Sequence, residues 1–421
     1  MLQVPRRRSR RIPRRRLTGW SLVLAVLAPL LGLGVAAGPA ANATANPATV
    51  WWEAFPNTPV HPNNSTATQK RIIDIGINSP STGAPVKWVR VLLPVGWSKT
   101  ATRTWPTLWM LHGGGDNHTS YTDKSSIQQM VLDKDVMVVM PETSPCSSYS
   151  NWYNGNNEAL APDWEDYIIE EVSQILESQY RASGDRAVLG ISMGGGGAMT
   201  LAGKHPGHFK SVASLSGAVN MLWHPGDTSE PILGPSIVWA SGPLCAPGGV
   251  DWKRIWGEPG YPFFTNDPTD LRQRNYWLAN SAIHNAEGLR GTPLYLYYGN
   301  GSDTSATQPP ALDPVTGKPV PDGDITGAGW AWGQLDAAGN QVQPNPQRCL
   351  ASPPTGKPSP AVIDAAMLER VDGKMNQSFA DRLRELGIPF TECAAYGLHS
   401  WPYWDREIYA ALPMLLGSLG L

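Results

Sequence analysis

Among the residues able to do chemistry, one serine stands apart. In AVLGISMGGGGAMTLA, Ser192 lies between Gly190 and Gly194 in a G-x-S-x-G pattern. A serine raised on a sharp strand-to-helix turn sits in a strained backbone conformation. The residues two before and two after it must then be small, or they collide. Glycine is common in this chain, 43 of 421 residues, so about one serine in a hundred would meet the pattern by chance. Context carries the weight: an apolar β-type run precedes Ser192, and GAMTLAGKHP follows as a helix start. A phosphate-binding turn would look similar, but no P-loop lysine follows and the G-x-G-x-x-G spacing from the strand end is missing. The chemistry implied is attack by an activated hydroxyl on a carbonyl carbon.

Such a hydroxyl needs a base, expected late in the chain after the last strand. FTECAAYGLHSWPYW supplies His399 at that place, after a strand-like run and before a final helix. Eight histidines are present, and a lone one is usually structural. His205 and His208 fall in the helix and turn after Ser192, and His224 and His284 fall in loops, so position selects His399. The developing oxyanion needs preorganised backbone N–H donors. Met193, directly after the nucleophile, is one. The run Leu111-His112-Gly113-Gly114-Gly115-Asp116 offers the second, with Gly114 chosen and Gly113 its neighbouring alternative; the bland reading is a glycine loop without a role. Two carboxylates compete to orient the histidine. Asp303 stands just beyond PLYLYYGNG, and Glu369 stands in AAMLERVDGKMNQSFADRLRELGI. Spacing alone leaves both in play, and each also reads as an ordinary turn or surface charge.

These residues need a scaffold that brings distant segments together. From about Ile72 the chain alternates strand-like and helix-like segments, predicting an α/β fold with a mostly parallel central sheet and helices on both faces. Val86 to Leu93, Thr107 to Leu111, Val136 to Met140, Ala187 to Leu189, Val212 to Leu215 and Pro293 to Tyr298 read as strands. Asp163 is expected to cap a helix carrying Ile168, Val172, Ile175 and Leu176 on one stripe. A last helix is expected from about Trp404 to Leu419. Between about residues 303 and 360 the text turns rich in Pro, Gly, Asp and Ala, predicting a long insertion before Glu369. Its Trp330, Trp332 and Cys349 point to an ordered excursion near the site.

The first fifty residues differ from the rest. Eight arginines precede the apolar run Trp20 to Ala37, and small residues follow, as in a secretory signal peptide spanning about 1–45. A retained membrane anchor is the alternative, since the run approaches the ~20 residues that span a bilayer. Residues 46–421 then form the mature domain. The formal charge is −2, and removal of eight arginines, with no other charge in that segment, leaves −10. That balance argues against nucleic-acid binding. Eighteen tryptophans and 39 prolines describe a loop-rich globule with aromatic surfaces. Cys146, Cys245, Cys349 and Cys393 are too widely spaced for a metal site, and no cofactor signature is present. In an exported protein they predict two disulfides, with Cys245–Cys349 the preferred pair.

The order of GISMGGGGAMTLAGKHPGHF, NGN after NWY, WG at Trp256, NDPTD, LYYGNGS, LERVDGKMNQSF and HSWPYW resembles the secreted mycolyltransferases of the antigen 85 complex. These belong to a broader esterase group with the α/β-hydrolase fold that includes feruloyl esterases and S-formylglutathione hydrolase. The similarity spans roughly Ile72 to Leu421, apart from the insertion. It implies that the acid is Glu369, since the Leu-Glu pair and the asparagine seven residues later are matched by Glu369 and Asn376. It also implies an acyl-serine at Ser192, an acyl ester donor, a polyol or sugar acceptor such as trehalose, and association with the cell envelope. Trp401, in His-Ser-Trp, would contact the acceptor. In the family the oxyanion loop carries an aspartate and an arginine that bind trehalose. Here His112 and Gly115 occupy those positions, so His112 is expected to face substrate and trehalose to be a weaker acceptor. Two other functions stand beside this one: a secreted carboxylesterase transferring acyl groups to water, and a non-catalytic envelope-binding protein on the same fold.

Overall fold

Strands rich in β-branched and aromatic residues, separated by glycine turns, build a nine-stranded sheet in the computed structural model. Described are residues 47–55, 71–83, 85–153, 162–223, 252–256, 271–301, 334–335, 341–343, 365–395 and 397–421, all within the unit Asn46–Leu421. The strands are β1 (Thr49–Ala54), β2 (Ile72–Asn78), β3 (Lys87–Leu92), β4 (Trp105–Leu111), β5 (Met137–Pro141), β6 (Ala182–Ile191), β7 (Val212–Leu215) and β8 (Leu294–Gly299). A short pair, β9 (Gln334–Leu335) with β10 (Gln341–Gln343), lies outside the main sheet, which is completed by β11 (Thr391–Ala395). The order is β1-β2-β3-β5-β4-β6-β7-β8-β11. The first three pairings are antiparallel and the five from β5 to β11 are parallel. This is the α/β-hydrolase arrangement expected.

The sheet is buried on both faces because side chains alternate along each strand. On β4, Trp109 and Leu111 enter one apolar cluster and Leu108 and Met110 the other. On β5, Met137 and Val139 oppose Val138 and Met140 in the same way. The first cluster is covered by the helix Met193–Lys204, through Ala198, Met199 and Leu201, and by the helix Ala365–Glu385, through Met375, Phe379 and Leu383. The second is covered by the helix Trp401–Ser418, through Trp404, Ile408, Leu412 and Leu415.

Three local expectations change. β1 was not foreseen; TVWWEA is a half-exposed edge strand and lacks the apolar alternation that marks a buried one. Asp163 does sit at a helix N-cap, but its side chain makes no capping hydrogen bond. The helix it opens passes through a π-turn at Tyr167–Val172 before Ser173–Gln179, while Ile168, Val172, Ile175 and Leu176 all face the core. The last helix starts at Trp401, three residues early, because Pro402 fits a first turn whose N–H groups are unpaired anyway. The expected signal segment, the Cys245–Cys349 pair, Asp303, Trp330 and Trp332 lie outside the described residues. Among the described residues no helix is long and apolar enough to cross a membrane.

Candidate active site

Ser192, Ser216, His399 and the glycine loop follow the carboxyl ends of parallel strands, where such sheets open their clefts. β6 ends at Ile191 and delivers Ser192. β4 ends at Leu111 and delivers the His112–Gly115 loop. β7 ends at Leu215 and delivers Ser216, and β8 ends at Gly299. β11 ends at Ala395, four residues before His399.

Ser192 has φ 52° and ψ −123°, a combination costly for a residue with a side chain and found where the surroundings enforce it. The enforcement is visible. Its N–H donates to the Leu215 carbonyl at 2.9 Å, and its own carbonyl accepts from Gly196 and Ala218. A Cβ at Gly190 would lie 1.9 Å from the Gly194 oxygen, and one at Gly194 would lie 2.1 Å from the Leu111 oxygen. The two glycines of the motif are therefore steric requirements of the turn. The side chain stands at the mouth of a cleft that also touches Met193, Thr200, Met221, Trp256 and Asp372.

Ser192 Oγ is 2.9 Å from His399 Nε2, and His399 Nδ1 is 2.7 Å from Glu369 Oε2. Glu369 Oε1 accepts hydrogen bonds from the Ser216 hydroxyl and the Gly299 N–H. These donors satisfy an oxygen of a fully buried side chain. Trp404 stands edge-on to His399 at 4.9 Å between centroids and donates to Ser216 Oγ. Burial pulls the imidazole pKa down, but the hydrogen bond to Glu369 and the charges of Asp372 and Glu369 outweigh it and leave it above the ordinary value. Asn376, paired with Glu369 by its spacing, donates to the Gly217 and Asp372 carbonyls and ties the acid's helix to the turn after β7.

Met193 is the first residue of its helix, so its N–H has no acceptor one turn back. The Gly113–Gly114 turn runs beside the nucleophile; a Cβ at Gly113 would come within 3.4 Å of Ser192 Cβ. Tyr149 fixes this loop by donating from its hydroxyl to the His112 carbonyl while its ring lies against Gly197.

The expectation that His112 faces substrate is corrected. The ring is 1 % exposed. Its Nε2 accepts from the Thr143 N–H, which leaves Nδ1–H to donate to the Gly113 carbonyl at 2.8 Å. Burial holds its pKa down, so it is a neutral brace under the glycine loop. Trp401 is 9 % exposed. It packs edge-on against Tyr121 and Trp404, and the Lys124 ammonium lies over its ring.

Two participants were not foreseen. Ser216, at φ 49°, is one residue past a short strand, and nothing in LSG marks it as a partner of Glu369. Asp372 had a readable signal: three residues after Glu369, it must share that helix face. The structure puts it 3.3 Å from His399 Nδ1.

Comparison with known proteins follows the same lines. The Esterase family model matches residues 79–318, more than half of the chain. The esterase Rv1288 of Mycobacterium tuberculosis strain H37Rv is 34 % identical over 167 residues, 36 % of this chain and 35 % of its own length. The chain thus spans about a third of the length of that relative. The diacylglycerol acyltransferase/mycolyltransferase Ag85B of Mycolicibacterium smegmatis is 26 % identical over 311 residues, 72 % of this chain and 74 % of that protein. The structure of M. tuberculosis MPT51 (FbpC1) matches with a TM-score of 0.51 and 19 % identity, over 81 % of this chain and 98 % of that one. That likeness is one of fold.

Proposed function

The chain belongs to the Esterase family, and from that premise we propose that it is an exported serine acyltransferase or esterase acting on lipid-like esters through an acyl-serine. The observation that carries this reading is the unbroken chain of hydrogen bonds from Ser192 through His399 to Glu369.

The reaction follows from the geometry. Ser192 Oγ attacks the ester carbonyl while His399 Nε2 takes the hydroxyl proton. Glu369 holds the imidazole with Nδ1–H toward itself and stabilises the imidazolium. The N–H groups of Met193 and Gly114 receive the oxyanion. On collapse the C–O bond to the alcohol breaks, and His399 returns its proton to that leaving alkoxide. An acceptor hydroxyl then attacks the acyl-serine with His399 again as base, giving a new ester and free Ser192.

The acceptor decides between transfer and hydrolysis, because water and a sugar hydroxyl compete for one intermediate. Supporting transfer are the similarity to Ag85B over most of both chains and the aromatic cluster of Trp401, Tyr121 and Trp404 at the acid-base residue. Opposing trehalose in particular are His112, now buried, and Gly115, where a carboxylate and a guanidinium would bind its hydroxyls. A missing charged hydrogen bond lowers acceptor preference roughly ten- to a hundredfold. Acyl transfer to a polyol is therefore expected, with trehalose a weak acceptor. Incubation with a long-chain acyl donor and separate acceptors, read by mass spectrometry as acylated acceptor against free acid, tests this. Free acid alone with every acceptor makes the protein a carboxylesterase. Absence of any turnover favours the envelope-binding alternative.

Export to an oxidising compartment accords with the basic and apolar N-terminus and with disulfide bonds at both described cysteines, Cys146 and Cys393. Protein recovered from culture medium is expected to begin between Gly38 and Asn46 and to carry no free thiol by intact mass. Four free thiols would place it elsewhere.

A further inference from the structure

We propose that Asp372 is a second acid beside His399, a positioning residue that stands within ion-pair distance of the imidazole Nδ1 and takes over its orientation when Glu369 is neutralised. This rests on the assignment of Ser192, His399 and Glu369 above.

The geometry is that of a paired site. Glu369 and Asp372 lie three residues apart on one face of the helix Ala365–Glu385, and both reach Nδ1, Glu369 at 2.7 Å and Asp372 Oδ2 at 3.3 Å. Their surroundings differ. Glu369 has two further donors, Ser216 and Gly299. Asp372 is 1 % exposed, lines the cleft at Ser192, and its Oδ1 has no hydrogen-bond partner among the described residues. Two carboxyls beside one imidazole do not ionise equally, and the one with fewer hydrogen-bond donors is the first to be protonated. Burial, then the charges of His399 (which lowers it) and Glu369 (which raises it), together push the Asp372 carboxyl up to about 8. Among the described residues those two are the charged groups that act on it; Ser216 and Trp404, beside them, do not titrate in this range. Asp372 is thus the protonated reserve behind Glu369, which holds the hydrogen bond to Nδ1. Replacing Glu369 by a neutral amide removes its repulsion, the smaller cause beside burial, and leaves Asp372 the one carboxyl among the described residues within ion-pair distance of Nδ1, so that Asp372 holds Nδ1–H once it ionises. In Glu369→Gln the orientation of the imidazole depends on the Asp372 carboxylate, so the rate of that variant rises as pH climbs through the Asp372 titration, a step the double variant lacks.

The test compares Glu369→Gln, Asp372→Asn and the double variant by kcat/KM on a p-nitrophenyl ester, by pH profile and by melting. Glu369→Gln is expected to retain about ten- to a hundredfold more activity than the double variant, the range set by one charged hydrogen-bond partner. Asp372→Asn alone is expected to lower kcat by no more than about tenfold, because Glu369 still accepts Nδ1–H. Equal rates for Glu369→Gln and the double variant would overturn the proposal. So would superimposable pH profiles for Glu369→Gln and the double variant; if Glu369→Gln fails to fold, Glu369→Ala with and without Asp372→Asn supplies the same comparison. Failure of the underlying assignment has a different signature: a serine-directed fluorophosphonate that labels wild-type protein somewhere other than Ser192.

Discussion

Replacing Ser192 with alanine, or His399 with alanine, is expected to lower ester turnover by roughly 10⁴–10⁶-fold, and Ser192→Ala is expected to melt near wild type. The two groups act as a unit, so removing either costs about as much as removing both, and only oxyanion stabilisation and binding remain. Stability should hardly suffer. The hydroxyl of Ser192 is bonded only to His399 among the described contacts, and alanine relieves the strained turn of nothing it needs for packing. A fluorophosphonate should label Ser192 in wild type and no serine in Ser192→Ala. Residual turnover within tenfold of wild type in either variant would remove that residue from the mechanism. The pH dependence follows from the same pair. Only neutral imidazole can take the serine proton, and the His399 pKa is raised. Activity should therefore be lost as pH falls through a value above the ~6.5 of a free histidine.

The second large effect concerns a residue that touches no substrate. Gly194→Ala should both destabilise the protein and disable Ser192. The added Cβ would sit 2.1 Å from the Leu111 oxygen, 2.6 Å from the Leu111 carbonyl carbon and 2.7 Å from the His112 oxygen. All three are backbone atoms at the end of β4, so no side-chain rotation can relieve the clash. Overpacking usually costs ~1–3 kcal/mol, and a clash with fixed backbone belongs at or beyond the upper end. The displacement falls between Ser192 and the His112–Gly115 loop, the proposed nucleophile and the proposed source of an oxyanion donor, and a shift of about 1 Å there can cost a hundredfold in rate. Gly417→Ala serves as the control. Its Cβ would meet nothing within 4 Å on the last helix, so a neutral or slightly stabilising effect is expected. Wild-type melting and labelling rate in Gly194→Ala would show that the turn is not held against β4 as described.

What the sequence by itself determined were the features set by local sterics and by period. Gly190 and Gly194 announce the strained turn because nothing larger fits there. The apolar strands announce a doubly covered sheet because their side chains alternate between two buried faces. The place of His399 after the last strand follows from chain order, since parallel strands put their carboxyl ends on one edge. The sequence left open everything that depends on which distant side chains meet. Glu369 and Asp303 were equal on spacing, and resemblance alone favoured Glu369. The fold brings Glu369 to His399, since helix Ala365–Glu385 lies against β8 and its Glu369 receives the Gly299 N–H. His112 looked like a substrate contact in a glycine loop, and only the packing of Tyr149 and Thr143 shows it turned under that loop. Asp372 could be placed on the face of Glu369 by helical period, yet its 3.3 Å approach to His399 depends on a loop 27 residues further along the chain. Local sterics and side-chain periodicity are written into adjacent residues. Burial, partner choice and the charge state of paired carboxyls exist only once the sheet has closed.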